Sequence, residues 1–226
     1  MNIGLIGKGY WGTILLSKLE KIGNVKFICN SKDNYKTKLD LVDWVFIATP
    51  NDTHFDIVKH CILSEKNIFC EKPLTPTYEQ SLKLFTLANK HGVKLYVNDV
   101  FNWRNETINL KSLLNPKNNL KVTWRKESSN KLFDLLYHDL YLLYPLLKSK
   151  LDIKWPQINN IIFDYEGSDK THTINNIDFT HSKNSNDALL EMVENVLNNK
   201  VDYDYNQMIT LFCNKTIDDI SNNPNL

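Results

Sequence analysis

The most constraining stretch of this chain is its beginning. Residues 2–6 (NIGLI) form a short apolar run that leads straight into Gly7-Lys8-Gly9-Tyr10-Trp11-Gly12. Residues 11–22 follow with apolar side chains at helical spacing, and Gly23 stands where a helix C-cap belongs. Strand, glycine turn and helix in that order open a βαβ mononucleotide-binding unit. Gly7 permits the tight turn and Gly9 lets the backbone approach a pyrophosphate. Gly12 lets the helix pack closely on the strand. The helix N-terminus then points free N–H groups at the phosphates. Tyr10 and Trp11 belong to the same loop and count with it as cofactor-binding candidates.

The alternation continues. Strands are predicted over 25–29, 44–48, 67–70 and 93–98, and helices over 53–64 and 76–91. Thr77 and Gln80 have capping-box spacing, with Gly92 at the far end. Short buried strands alternating with helices specify a parallel sheet covered by helices. The connection over 31–43 is short for a parallel crossover, so its helix is expected to be one turn or absent. After residue 100 the character changes. Helices are predicted over 105–114 and over 132–147, the latter ending before or near Pro145. Residues 120–126 alternate like a half-buried strand. Residues 158–165 and 171–181 read as two antiparallel strands, and 186–198 and 206–220 as two last helices. The expected fold class is α/β. A Rossmann domain occupies 1–100 and a smaller α+β domain occupies 101–226.

Charge narrows the partners. Lys and Arg total 27 against 26 Asp and Glu, so no excess favours nucleic acid or an anionic membrane. No run approaches the ~18 apolar residues of a membrane span. The first residues lack the basic and apolar regions of a signal peptide. Cys29, Cys61, Cys70 and Cys213 form no CxxC pair, which argues against a metal site. They read as reduced thiols, and a cytoplasmic location is expected.

Three further positions bear on chemistry. The end of the second strand, where an acidic residue normally meets the ribose, reads Asn30-Ser31-Lys32. Without a carboxylate to repel a 2′-phosphate, NADP is favoured over NAD. Lys72 ends the fourth strand within Glu71-Lys72-Pro73, and ligands of such sheets sit at the carboxyl ends of the strands. Asp134 and His138 are four residues apart on an apolar helix and share a face. Hydride exchange at a carbinol needs an acid/base near the oxygen, and imidazole suits it. A surface lysine and a polar helix pair are the plainer readings of each taken alone. Asp139 points elsewhere, to a structural partner. His60, His91, His172 and His181 have no partner at useful spacing and read as surface or core histidines.

GLIGKGYWG, VDWVFIATPNDTH, IFCEKPLTPT and FDLLYHDLYLL together resemble the glucose–fructose oxidoreductase/inositol dehydrogenase (Gfo/Idh/MocA) family. The resemblance implies a Rossmann domain followed by a domain with an open-faced sheet. It implies that Lys72, His138 and Asp134 are catalytic. Lys72 and His138 would handle the hydroxyl proton and Asp134 would orient His138. Thr49, Pro50, Asn51 and His54 form the family's cofactor loop, and with Glu71 they would flank the dinucleotide. GYWG with D-L-x-x-H-D looks like the nucleotide-sugar branch. The implied activity is NAD(P)-dependent oxidoreduction of a sugar or sugar-like alcohol or ketone, nucleotide-linked sugars included. The alternative is a non-catalytic dinucleotide- or sugar-binding protein, motivated by a second domain that is shorter than the family's. Its sheet is expected to be truncated to three or four strands and to pair through its open face in a homo-oligomer, most simply a dimer.

Overall fold

The structure is a computed structural model describing residues 1–30, 32–107, 110, 119–125, 128, 130–148, 153–167, 171–175, 177–178 and 187–223. The chain forms two compact units, 1–98 with 189–214 and 99–188 with 215–226. Beside the expected division into 1–100 and 101–226, the first unit also takes in residues 189–214.

The first unit is built on β1 (Asn2–Ile6), β2 (Asn24–Cys29), β3 (Trp44–Ile47), β4 (Asn67–Cys70) and β5 (Leu95–Val97). They lie in the order β2-β1-β3-β4-β5, all parallel. The connecting helices are α1 (Tyr10–Ile22), α2 (His54–Leu63) and α3 (Tyr78–His91). Among the described residues between β2 and β3 the short connection holds only a 3₁₀ segment, Lys36–Leu41. Thr77 caps α3 by accepting the Gln80 N–H at 3.3 Å. The return arm of a capping box is absent, because Gln80 Oε1 is buried without a hydrogen-bond partner. Gly92 ends α3 in the left-handed region (φ 64°), whereas Gly23 ends α1 with extended backbone.

Alternation along the strands divides the core. Val45 and Ile47 pack with Ile57, Val58, Leu84 and Phe85 of α2 and α3. On the other face, Phe46 stacks on Phe69 at 4.8 Å and Phe69 on Tyr96 at 6.1 Å, across three adjacent strands. Tyr203 meets Tyr96 edge-on, and Met192, Val193 and Val196 are fully buried. These belong to α5 (Ala188–Leu197) and α6 (Tyr203–Asn222). An aromatic sheet face needs a cover, and that requirement explains the discontinuous unit.

β5 is an edge strand, and α6 seals it. The Val97 N–H donates to Asn206 Oδ1 and the Asn206 amide donates to the Val97 carbonyl, both at 2.9 Å and both buried. Asn206→Leu strands two buried backbone groups at about 1–3 kcal/mol each. Denaturant unfolding should show a loss of about 2–6 kcal/mol with an unchanged m-value. A loss under about 0.5 kcal/mol would mean that water replaces the amide.

The second unit carries a six-stranded mixed sheet in the order β11-β10-β6-β9-β8-β7. Its strands are β6 (Leu120–Arg125), β7 (Ile153–Lys154), β8 (Gln157–Ile158), β9 (Ile161–Asp164), β10 (Thr171–Ile174) and β11 (Ile177–Asp178). Among the described residues six strands replace the expected three or four, because three two-residue ladders extend the edges. β9 and β10 do not form the expected hairpin. β6 lies between them, parallel to β9 and antiparallel to β10. The expected helix over 105–114 falls largely outside the described residues. The expected helix over 132–147 is a π-helical segment, Leu132–Leu136, running into α4 (Tyr137–Leu147). It ends at Leu147, two residues beyond Pro145, which lies inside its last turn.

One sheet face is buried through Leu120, Val122, Ile161, Phe163, His172 and Ile174. The opposite face bears Lys121, Thr123, Arg125, Asp164, Thr171 and Thr173, with Ile162 among them. Arg125 clasps Asp164 at 2.8 and 2.9 Å, and Lys121 joins at 3.0 Å. The Arg125 bonds, seconded by Lys121, hold the Asp164 carboxyl well below the usual carboxylate range. The face opposite the buried one is therefore largely polar and ion-paired among the described residues.

Candidate active site

Strand order reverses between β1 and β3, which makes their carboxyl ends the crevice of this sheet. Two turns meet there. Gly7 has φ 114°, and a Cβ on it would lie 2.3 Å from the Ala48 carbonyl oxygen. A Cβ on Gly12 would lie 1.9 Å from the Gly7 oxygen. Gly7 and Gly12 are thus fixed by contact. Gly9 differs, because a Cβ there would meet nothing within 4 Å. Gly9 is the N-cap of α1 with no side-chain cap, and the first turn holds no acidic residue. Thr13 N–H is the first to bond back, to the Gly9 carbonyl at 2.9 Å. The N–H groups before it face an open corner, which fits a pyrophosphate. Tyr10 and Trp11 flank that corner, 76% and 53% exposed.

The end of β2 carries the ribose-side candidates. Ser31 lies outside the described residues, and Lys32 is exposed. Asp33 turns back so that its carboxylate accepts the Asn30 N–H at 2.6 Å. A carboxylate therefore does stand at this corner, three residues later than its usual place. Lys32, Asp33, Tyr35, Asp52, Thr53 and Ile57 line an open cavity of about 480 Å³ beside it.

The β3 and β4 ends carry the remaining first-unit candidates. Thr49, Pro50 and Asn51 turn into α2, held by the Thr53 hydroxyl, which donates to the Pro50 carbonyl at 2.7 Å. His54 is 1% exposed. Its Nε2 lies 2.8 Å from the Thr49 carbonyl and its Nδ1 3.0 Å from the Pro73 carbonyl. Burial lowers its pKa, against the pull of these backbone bonds. With both nitrogens committed, His54 braces two turns and does not itself present a ligand group. Glu71 is buried and accepts from the Asn98 amide at 2.8 Å. Burial raises its pKa, opposed by Asn98 and Lys72. Lys72 follows, half-buried, at the turn after β4.

Residues 17–99 match the family described as "Oxidoreductase family, NAD-binding Rossmann fold" (GFO_IDH_MocA). Over that segment the chain is similar to the Gfo/Idh/MocA oxidoreductase family. It is 30% identical over 133 residues to the Escherichia coli oxidoreductase YdgJ, covering 50% of this chain and 38% of that one. It is 28% identical over 123 residues to 2,7-anhydro-N-acetylneuraminate hydratase of E. coli, covering 46% of this chain and 33% of that one. The chain thus matches well under half the length of these relatives. The WlbA (WbpB) dehydrogenase of Thermus thermophilus, solved with NAD and UDP-GlcNAcA, shares the fold. Its TM-score is 0.74 at 14% identity, over 96% of this chain and 93% of that one.

The family's second-half motif lies in the second unit. Asp134 sits in the π-helical segment, is exposed, and accepts from the Ser128 hydroxyl at 2.5 Å. His138, in the first turn of α4, stacks on Phe101 at 4.4 Å, and its Nδ1 lies 2.8 Å from the Tyr141 hydroxyl. Phe101 N–H donates to the same hydroxyl at 3.2 Å. Arg104 covers the Phe101 ring at 3.9 Å. The π-segment hands over to α4 between Asp134 and His138, so the spacing of four does not run along one uniform helix.

Asp139 takes the structural partners expected of it. Its carboxylate accepts from Trp124 Nε1 at 2.8 Å and from the Tyr165 hydroxyl, and pairs with His172 Nε2 at 2.9 Å. Sequence spacing could not find His172, because 33 residues separate the pair. Asn98 was missed for the same reason, lying 27 residues from Glu71, whereas Asp33 and Tyr141 lie only three residues from Asn30 and His138. Among the described residues no cluster of His, Cys, Asp and Glu suits a metal, and no helix is long and apolar enough to cross a membrane.

Proposed function

We propose that this protein transfers hydride between nicotinamide dinucleotide and a carbinol or carbonyl carbon of a sugar or sugar-like substrate, nucleotide-linked sugars included. One observation carries the reading. The glycine loop, open at Gly9, packs through Gly7 against the Ala48–Thr49 turn where strand order reverses, and the family that residues 17–99 match is described as NAD-binding. The UDP-sugar bound to the T. thermophilus neighbour supports the substrate class.

When bound, the nicotinamide supplies the hydride acceptor or donor. The α1 N-terminus would hold the pyrophosphate and leave the reactive ring to the β3 and β4 ends. Lys72, on the turn after β4, would exchange a proton with the substrate hydroxyl. His138, held on its Nδ1 side by the Tyr141 hydroxyl, would do the same. Asp134 would tune His138 electrostatically. The direct test is reduction of NAD by a panel of UDP-sugars, followed at the nicotinamide absorbance, with free sugars as controls. Dinucleotide binding without turnover of any of them would favour a non-catalytic binding protein.

Asp33 favours NAD(H) over NADP(H), reversing the expectation from Asn30-Ser31-Lys32. Its carboxylate accepts from a ribose 2′-hydroxyl but repels a 2′-phosphate. Fluorescence titration should give a Kd for NADH at least about tenfold below that for NADPH, roughly 1.4 kcal/mol. Asp33→Asn should narrow the gap. Equal or tighter NADPH binding would return the preference to Lys32.

A further inference from the structure

We propose that His54 is a positioning residue that couples the cofactor loop at Thr49 to the Lys72 turn. The proposal rests on the dinucleotide reading above. Its basis is a chain of contacts within the first unit. The glycine loop touches the Ala48 backbone so closely that no Cβ fits at Gly7. The next carbonyl, Thr49, meets His54 Nε2 at 2.8 Å. Across the ring, Nδ1 meets the carbonyl of Pro73 at 3.0 Å, the residue after Lys72. The Thr49–Pro50 turn is stiffened by Thr53, whose hydroxyl donates to Pro50 and bonds the Thr49 hydroxyl at 2.8 Å. A displacement of this turn is therefore passed to the ring, not absorbed beside it.

The ring suits that role. It is buried, so no ligand competes for it. A neutral imidazole has one N–H and satisfies one carbonyl as donor; the protonated ring satisfies both. In either state it is a rigid plate whose two edges touch two turns that the sequence separates by 24 residues. A dinucleotide settling on the glycine loop and the Thr49 turn thereby biases the backbone that carries Lys72.

Amide hydrogen exchange of the full chain, with and without NADH, tests this. In the wild type NADH should slow exchange across 71–76. His54→Phe keeps the ring and loses both polar contacts. It should bind NADH within about tenfold of wild type but lose most of that slowing. His54→Gln keeps one donor and should retain part of it. Circular dichroism checks folding, and if the Phe variant does not fold, the Gln variant decides by the same measure. Undiminished slowing in the variants, or none in the wild type, overturns the proposal. A wild type that binds no NADH defeats the dinucleotide reading itself, which is a separate and visible failure.

Discussion

Lys72→Met and His138→Ala should each lower turnover by ~10²–10⁴-fold, the usual contribution of a positioned acid–base group, while NADH affinity stays near wild type. The two residues stand on different units and are held by different means. Lys72 rides on a turn fixed at both ends. Glu71 N–H bonds the Ile47 carbonyl at 2.9 Å, its carboxyl is held by Asn98, and the Pro73 carbonyl meets His54. His138 is held by the Phe101 ring and the Tyr141 hydroxyl. Neither residue belongs to the phosphate corner, so cofactor affinity should survive both changes. Asp134→Asn should cost less, since its observed bond runs to Ser128. If both groups serve one proton, the double variant should lose little beyond the worse single variant, because groups that act as a unit are strongly non-additive. Turnover within about threefold of wild type for both single variants would remove them from the chemistry, since a positioned acid–base group contributes at least ~10²-fold.

Local constraints were the legible ones. Gly7 and Gly12 are required by backbone contacts within a few residues or on a neighbouring strand, and such needs are written directly into a glycine pattern. Short apolar strands and the Thr77 and Gly92 caps are equally local. What the sequence hid depends on distant partners. Phe46, Phe69 and Tyr96 read simply as core residues. That their ladder recruits Tyr203, and so draws the C-terminal helices into the first unit, needs the register of three strands. The β10-β6-β9 order was hidden because adjacent antiparallel-looking segments favour the hairpin, and nothing local announces an intervening strand. Asp33 illustrates a subtler miss. A carboxylate is expected at the strand end, but the chain supplies it one short turn later and folds it back onto Asn30.

The glycine loop gives the other large effect, and there the three glycines should separate. Gly12→Ala drives a methyl to 1.9 Å from the Gly7 oxygen, and both atoms sit on backbone that cannot yield. Gly7→Ala adds an unfavourable φ of 114° to a clash with the Ala48 carbonyl. Each should destabilise the fold by about 2–4 kcal/mol, visible in denaturant unfolding without any ligand. Gly9→Ala should not. Its φ of −73° and ψ of −168° suit alanine, and the new methyl touches no protein atom. Stability should fall by less than about 1 kcal/mol. The methyl would instead occupy the corner that the pyrophosphate needs. NADH affinity should drop by about tenfold to a hundredfold, roughly 1.4–2.8 kcal/mol. The pattern of a stable protein with weakened NADH binding at Gly9, beside unstable ones at Gly7 and Gly12, separates a ligand cradle from a merely tight turn. A Gly9→Ala protein that binds NADH as the wild type does would mean that the phosphates rest somewhere other than the N-terminus of α1.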